Sequence, residues 1–187
     1  IFGKGLDQLW PEFTAYLKEK FSPKLQEISQ HGIKEGEKIT HHGYGTGSPQ
    51  VLADGTLFYI RSDGKERASI MMLPFGKEEA KEICETNPLA RIDIHQAAGV
   101  LLTQLEVFGN TEYHYDLYQV DVKSGHKHRL TQGGRYPFAS WSPDAQQIAA
   151  FHIERGVYSL HLLNSKGKYL ETLWTATEGE SVAGLDW

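Results

Sequence analysis

The feature that most constrains this chain is a repeat of about 45 residues. Thr40, Thr86, Thr131 and Thr175 stand 46, 45 and 44 residues apart. Ile39-Thr40-His41-His42-Gly43 matches Leu130-Thr131-Gln132-Gly133-Gly134. A second landmark follows each: Leu52-Ala53-Asp54-Gly55, then Gln96-Ala97-Ala98-Gly99, then Ser142-Pro143-Asp144-Ala145. A third pairs the stretch Leu117 to Gly125 with Ser159 to Gly167. A fixed period of this length marks an array of stacked units, either helical pairs or four-stranded propeller blades.

The content of each repeat decides between them. Leu57–Ile60, Ile70–Leu73, Val100–Thr103, Leu117–Val120, Gln147–Phe151 and Tyr158–Leu162 are short strand-like runs. Between them lie Ser62-Asp63-Gly64, Phe108-Gly109-Asn110, Lys123-Ser124-Gly125 and Asn164 to Gly167. Gly and Asn accept positive φ there, and Asp and Ser bond back to the backbone, so these are hairpin turns and not helix boundaries. The expected fold is mostly β: a partial β-propeller of about three four-stranded blades, preceded by a short helical segment. The blades fall near 45–86, 88–131 and 136–175, within a propeller region 40–187, and a fourth begins at 182–187 with Gly184-Leu185-Asp186-Trp187 echoing Ala139-Ser140-Trp141. A twisted sheet stacked between neighbours buries both faces, which suits the unbroken apolar Ile148–Phe151. Ala97, Ala98 and Ala139 are small enough for the crowded axis.

Before the repeat, residues 1–32 read as a helical linker. Leu6, Leu9, Trp10, Phe13, Tyr16 and Leu17 make one apolar stripe. Ser22-Pro23 suits the N-cap and first position of a second helix, which His31-Gly32 ends. The stripe serves either to dock a partner or, as the default, to pack on the next domain.

Composition narrows the function. Hydrophobic residues make up 40% and charged residues 23%, as in soluble globular chains, and the net charge of −5 is spread over mixed signs. A nucleic-acid partner would call for a clustered basic stripe, which is absent. No apolar run reaches the roughly 20 residues of a membrane span. Cys84 is the single cysteine, so neither a disulfide framework nor a cysteine zinc cluster is available. Its default role is a small buried hydrophobe on a strand. The sequence opens Ile1-Phe2-Gly3 and stops at Trp187, inside the expected fourth-blade strand. It therefore reads as a piece of a larger protein.

Chemical signatures are scarce. Nine histidines invite a metal site, but no His-Glu-x-x-His helix occurs. His41 and His42 are adjacent, and in a strand they would face opposite ways. His126 and His128 share one face of an outer strand, with His114 a candidate neighbour; solvated edge histidines are the default. There is no Gly-x-Ser-x-Gly elbow. The run His42 to Gly47 lacks the Gly-Lys-Ser/Thr ending of a phosphate loop and reads as the entry into the first blade. Asp116 and Asp121 are not placed in a shared pocket by sequence. Lys77 to Glu82 reads as a solvated edge that protects an outer strand from pairing. No catalytic residue, metal or cofactor is expected.

The stretch Leu130-Thr131-Gln132-Gly133-Gly134 to Trp141-Ser142-Pro143-Asp144, with Tyr113 to Tyr118, Asp121 and Gly125 after the second landmark, resembles the TolB-like (WD-type) propeller repeat. Ala145 stands where that repeat carries Gly; the first blade keeps Asp54-Gly55 without Ser-Pro, and the second keeps only Gly99. The resemblance covers residues 40–187. It implies a structural role for Asp54, Gly55, Gly99, Trp141, Ser142, Pro143 and Asp144 in the turn between the first two strands of a blade. It also implies a periplasmic or extracytoplasmic location. More weakly, Gly5 to Phe13 resembles the helix that links an upstream zinc-peptidase-like domain to such propellers in some bacterial proteins. The expected function is a non-catalytic scaffold that binds a protein or peptide partner. The alternative is a ligand or substrate-access site serving a neighbouring hydrolase. Tyr44, Tyr113 and His114 are the candidate interaction-loop contacts, and the exposed end faces of the blade stack are candidate surfaces for self-association.

Overall fold

A computed structural model describes residues 3–32, 36–42, 45–109, 111–177 and 179–187. The chain divides into two compact units, Ile1–Ile39 and Thr40–Trp187.

The first unit holds one helix, α1 (Leu6–Gln30), where two were expected. Pro23 lies inside it, and Ser22 caps nothing: its hydroxyl donates to the Lys18 carbonyl one turn back. A proline there removes only the bond to the Glu19 carbonyl, and exposed Glu19 can find water instead. No residue of α1 is buried, and Trp10 and Phe13 are exposed on its apolar stripe.

The second unit is three antiparallel four-stranded sheets. Blade one contains β1 (Thr46–Val51), β2 (Leu57–Arg61), β3 (Ser69–Leu73) and β4 (Lys81–Glu85). Blade two contains β5 (Arg91–His95), β6 (Gly99–Phe108), β7 (Glu112–Val120) and β8 (Lys127–Arg129). Blade three contains β9 (Phe138–Trp141), β10 (Gln147–Glu154), β11 (Val157–Asn164) and β12 (Tyr169–Thr175). The mostly-β, partial-propeller reading is correct. In each blade the strands follow chain order, and innermost β5 lies between β1 and β9.

Two apolar layers hold the blades together. Phe58, Ile60 and Ile70 of blade one meet Ile92, Val100, Leu102 and Val120 of blade two. Leu101 and Leu117, on the other face of blade two, meet Trp141, Ile148, Ala150 and Leu163 of blade three. Strand alternation delivers both: Val100 and Leu102 point one way and Leu101 the other. Cys84 sits on β4 against the first layer, where burial pushes its thiol pKa up.

Polar stitches align the innermost strands. Ser48 Oγ accepts the Ile92 N–H at 2.9 Å and donates to the Ile92 carbonyl at 3.2 Å. The Asp93 carboxylate accepts the Trp141 N–H at 2.7 Å, and His95 Nε2 lies 3.0 Å from the Pro143 carbonyl. Further out, the turn glycines Gly125 and Gly167, at φ +71° and +78°, back directly onto the Ile83 and Leu130 carbonyls of the preceding blade.

Three further expectations differ from the structure. Residues 182–187 form no strand, because none of the described residues offers them a ladder; Gly184 to Asp186 instead line a hollow with Ser48, Asp93 and Ala139. Ala97 and Ala98 lie in the β5–β6 turn and not at the axis, whereas Ala139 is on innermost β9. The end face of blade one is not open: Tyr59, Met71 and Leu73 are 2, 4 and 6% exposed, and His42 lies on Tyr59 with a shared hydrogen bond.

Candidate functional site

The turn residues singled out by sequence lie at one rim of the blades. In blade one Gly55 N–H donates to the Leu52 carbonyl, and Asp54 accepts the Thr56 N–H at 2.9 Å. In blade three Asp144 accepts the Gln146 N–H at 3.0 Å and the Ser142 hydroxyl at 2.6 Å, while Ser142 Oγ accepts the Gln147 N–H. These bonds hold both carboxyls below their ordinary pKa. Gly55, Gly99 and Ala145 share a left-handed backbone, at φ +83°, +80° and +56°. Blade two uses His95 in place of an acid: its Nδ1 accepts the Ala97 and Ala98 N–H groups. Trp141 is buried under the blade two–three layer, and Pro143 lends its carbonyl to His95.

The same rim carries a hollow of about 540 Å³ lined by Gly99, Gln119, Lys123, His126 and His128. His126 and His128 are exposed on one face, and His114 lies at the far end of blade two, lining a different cleft. Among the described residues no three His, Cys, Asp or Glu side chains are grouped to hold a metal.

The opposite rim has the richer chemistry, and Asp116 builds it. Asp116, in the middle of β7, is 0% exposed. Its Oδ1 accepts the Thr131 hydroxyl at 2.8 Å and the Gly134 N–H at 2.7 Å. Its Oδ2 accepts Arg129 Nη2 at 2.6 Å and the Gly133 N–H at 2.9 Å. Burial raises the pKa of this carboxyl, but the bonds from Gly134, Arg129, Gly133 and Thr131 outweigh it, and the net shift is downward. The loop from Thr131 to Pro137 is thereby pinned from behind.

That loop continues into Arg135 and Tyr136. The Tyr136 N–H donates to the Tyr115 carbonyl at 2.9 Å, and the Ile153 N–H donates to the Arg135 carbonyl at 3.0 Å. One bond reaches blade two and the other stays in blade three, so the loop is fixed across their seam. A cleft of about 380 Å³ results, lined by Glu112, Tyr113, His114, Tyr115, Arg135, Pro137, Ile153 and Arg155. Arg155 sits at the tip of the β10–β11 hairpin. Both arginines have left-handed backbones, at φ +56° and +50°. Among the described residues neither guanidinium forms an ion pair or side-chain hydrogen bond.

Tyr113 and His114 were expected as loop contacts; both stand on β7 and diverge by strand alternation. Tyr113 is 67% exposed. His114 is 9% exposed, stacks on Phe108 with ring centroids 5.4 Å apart, and holds Glu112 through Nε2 at 2.9 Å. Its Nδ1 is buried without a partner among the described residues. His114 thus supports the cleft and Tyr113 presents a surface. Tyr44 lies outside the described residues. Arg135, Arg155 and Asp116 were not anticipated as a group; the Leu-Thr-x-Gly-Gly motif was the one signal that pointed to this loop.

No protein-family model matches the chain, and no curated protein matches it. Solved structures do. A putative TolB from Agrobacterium tumefaciens aligns with a TM-score of 0.52 at 19% identity, over 73% of this chain and 47% of that one. TolB from Acinetobacter baumannii aligns with a TM-score of 0.49 at 17% identity, over 71% of this chain and 33% of that one. An oligogalacturonate lyase from Vibrio parahaemolyticus aligns with a TM-score of 0.48 at 18% identity, over 64% of this chain and 36% of that one. The chain spans about half the length of the first and about a third of the other two. Its fold is that of a TolB-like β-propeller.

Proposed function

We propose that this chain is a non-catalytic protein-interaction module that captures a peptide segment of its partner in the cleft between blades two and three. The carrying observation is the cleft itself: exposed Tyr113 and two arginines without ion-pair partners among the described residues line a concavity whose loop is tied to blade two by the Tyr136–Tyr115 backbone bond and to blade three by the Ile153–Arg135 bond. Exposed aromatic and arginine side chains at a preformed concavity are the composition of binding hot spots. The resemblance to TolB-like propellers supports an extracytoplasmic setting. No described helix is long and apolar enough to cross a membrane.

The test is selection of a displayed peptide library on the intact chain. Selected peptides should lose binding to Tyr113→Ala and keep it with His126→Ala, on the opposite rim. Failure to enrich any sequence, or enrichment indifferent to Tyr113, would remove the reading.

A further inference from the structure

We propose that this cleft recognises a peptide carboxylate, gripped between Arg135 and Arg155, with the Tyr113 ring as the wall against which the adjoining side chain lies. The inference rests on the peptide-binding reading above and names the group that is read.

Charge is the first argument. Two guanidinium-bearing residues line one concavity of about 380 Å³, and neither is paired among the described residues. A guanidinium offers a fork of donors that matches a carboxylate and is always charged. The cleft contains one acid, Glu112, whose side chain is 64% exposed and engaged by His114. Two cations against one acid leave the cleft positive in a chain whose net charge is −5. The volume lies within the small-ligand range, enough for one or two side chains and too little for a folded edge.

Preorganisation is the second. Arg135 is carried on a loop fixed by Asp116 behind it and by Ile153 and Tyr115 on either side. Arg155 is carried by a two-residue hairpin turn, Arg155-Gly156, both at positive φ and flanked by the Glu154–Val157 pair. Turns of this kind favour Asn, Asp or Gly at the first position. Arginine is a poor choice for the backbone at both places, so the side chain is what these positions supply. Such outliers gather at binding sites.

The experiment is an NMR titration of the full 15N-labelled chain with three acetylated tetrapeptides. One is Ala-Glu-Phe-Ala amide, the second replaces Glu by Gln, and the third is Ala-Ala-Phe-Ala with a free C-terminus. The Glu peptide should shift the Arg135 and Arg155 side-chain signals and the Tyr113 amide, with a midpoint of about 1 mM. The Gln peptide should bind about tenfold or more weakly, having lost charge-assisted bonds. Tighter binding of the free acid would place the carboxylate at a chain end, and of the Glu peptide in a side chain; either supports the proposal. Arg135→Gly and Arg155→Gly should each weaken binding about tenfold while leaving the melting temperature unchanged or higher, since glycine relieves the backbone. Arg135→Gln and Arg155→Gln, which keep a side chain at each position, should weaken it equally. Equal affinity for the Glu and Gln peptides with the free acid binding no tighter than either, unaltered binding by the arginine variants, or no shift up to about 10 mM would overturn the proposal. Shifts confined to the His126 rim would overturn it too, yet leave a peptide-binding module standing; failure of the library selection removes that module itself.

Discussion

Replacing Asp116 by Asn should destabilise the propeller by about 3 kcal/mol. Asp116 accepts four hydrogen bonds, two on each oxygen, from Thr131, Gly134, Arg129 and Gly133. An asparagine of the same shape keeps one oxygen and therefore one pair. In either orientation its NH2 faces two donors, and one of the pairs is lost with a donor–donor contact in its place. Bonds to a charged acceptor contribute about 1.5–3 kcal/mol each, and the lighter desolvation of a neutral amide offsets part of the loss. For a unit of about 150 residues, 3 kcal/mol lowers the melting temperature by about 6–12 °C. Thermal and urea unfolding, followed by far-UV circular dichroism and tryptophan fluorescence, would measure it. The pH dependence supplies a second readout. The folded carboxyl has a lowered pKa, so its contribution is full above the ordinary carboxylate pKa of about 4 and is lost as pH falls through the folded value. The gap between wild type and Asp116→Asn should close in acid. A melting temperature lowered by less than about 2 °C at pH 7, or a gap that persists unchanged at pH 3, would refute the assignment of Asp116 as the anchor of this loop.

Other positions give independent checks. Gly167→Ala places a methyl group 2.5 Å from the Leu130 carbonyl oxygen; it should cost about 3 kcal/mol in urea unfolding, against about 1 kcal/mol for Gly156→Ala, which shares the positive φ but meets nothing within 4 Å. Ala145→Gly should be neutral or stabilise by up to about 1 kcal/mol, since its φ of +56° favours glycine, and a loss of more than that would contradict the strain. His152 and His161 stack with centroids 4.7 Å apart, and burial holds both pKa values below the ordinary imidazole value. A depressed histidine pKa means the unfolded chain binds more protons, so stability should be full above pH about 6.5 and fall below it. A double His152→Gln, His161→Gln variant should flatten that slope in urea midpoints between pH 7.5 and 5.5, and an unchanged slope would sink the assignment.

The fold was legible where burial on both faces writes an apolar run. The middle strands β2, β3, β6, β7, β10 and β11 all contain the runs marked from sequence. The inner and outer strands do not announce themselves: Thr46-Gly47-Ser48-Pro49-Gln50-Val51 and Lys127-His128-Arg129 are strands because a neighbour supplies their ladder. Local chemistry misled at Ser22-Pro23, where a good cap and a first-turn proline are absorbed into one exposed helix. Gly125 and Gly167 were readable as turns, but not as the points where one blade touches the previous one, because that contact spans more than a hairpin. The role of Asp116 was unreadable for a different reason. Its partners are Arg129 to Gly134, and only closing the β7–β8 hairpin brings them to it.

Among the described residues four non-glycine residues have positive φ, and they separate into two kinds. Ser48 is held at +50° while its hydroxyl binds both backbone groups of Ile92, so the strain there serves the seam between blades one and two. Ala145, at +56°, has its methyl group packed against the blade two–three layer. Arg135 and Arg155 have no such return: their backbones would be easier as glycine, and their side chains bond to nothing among the described residues. A left-handed non-glycine residue costs on the order of 1 kcal/mol. Two of these costs fall in the lining of one cleft, from segments some twenty residues apart in sequence. Packing accounts for the first pair of outliers, and the proposed carboxylate would account for the second. The Arg→Gly variants separate the two explanations: stability held or gained together with binding lost is the signature of residues kept for what they bind.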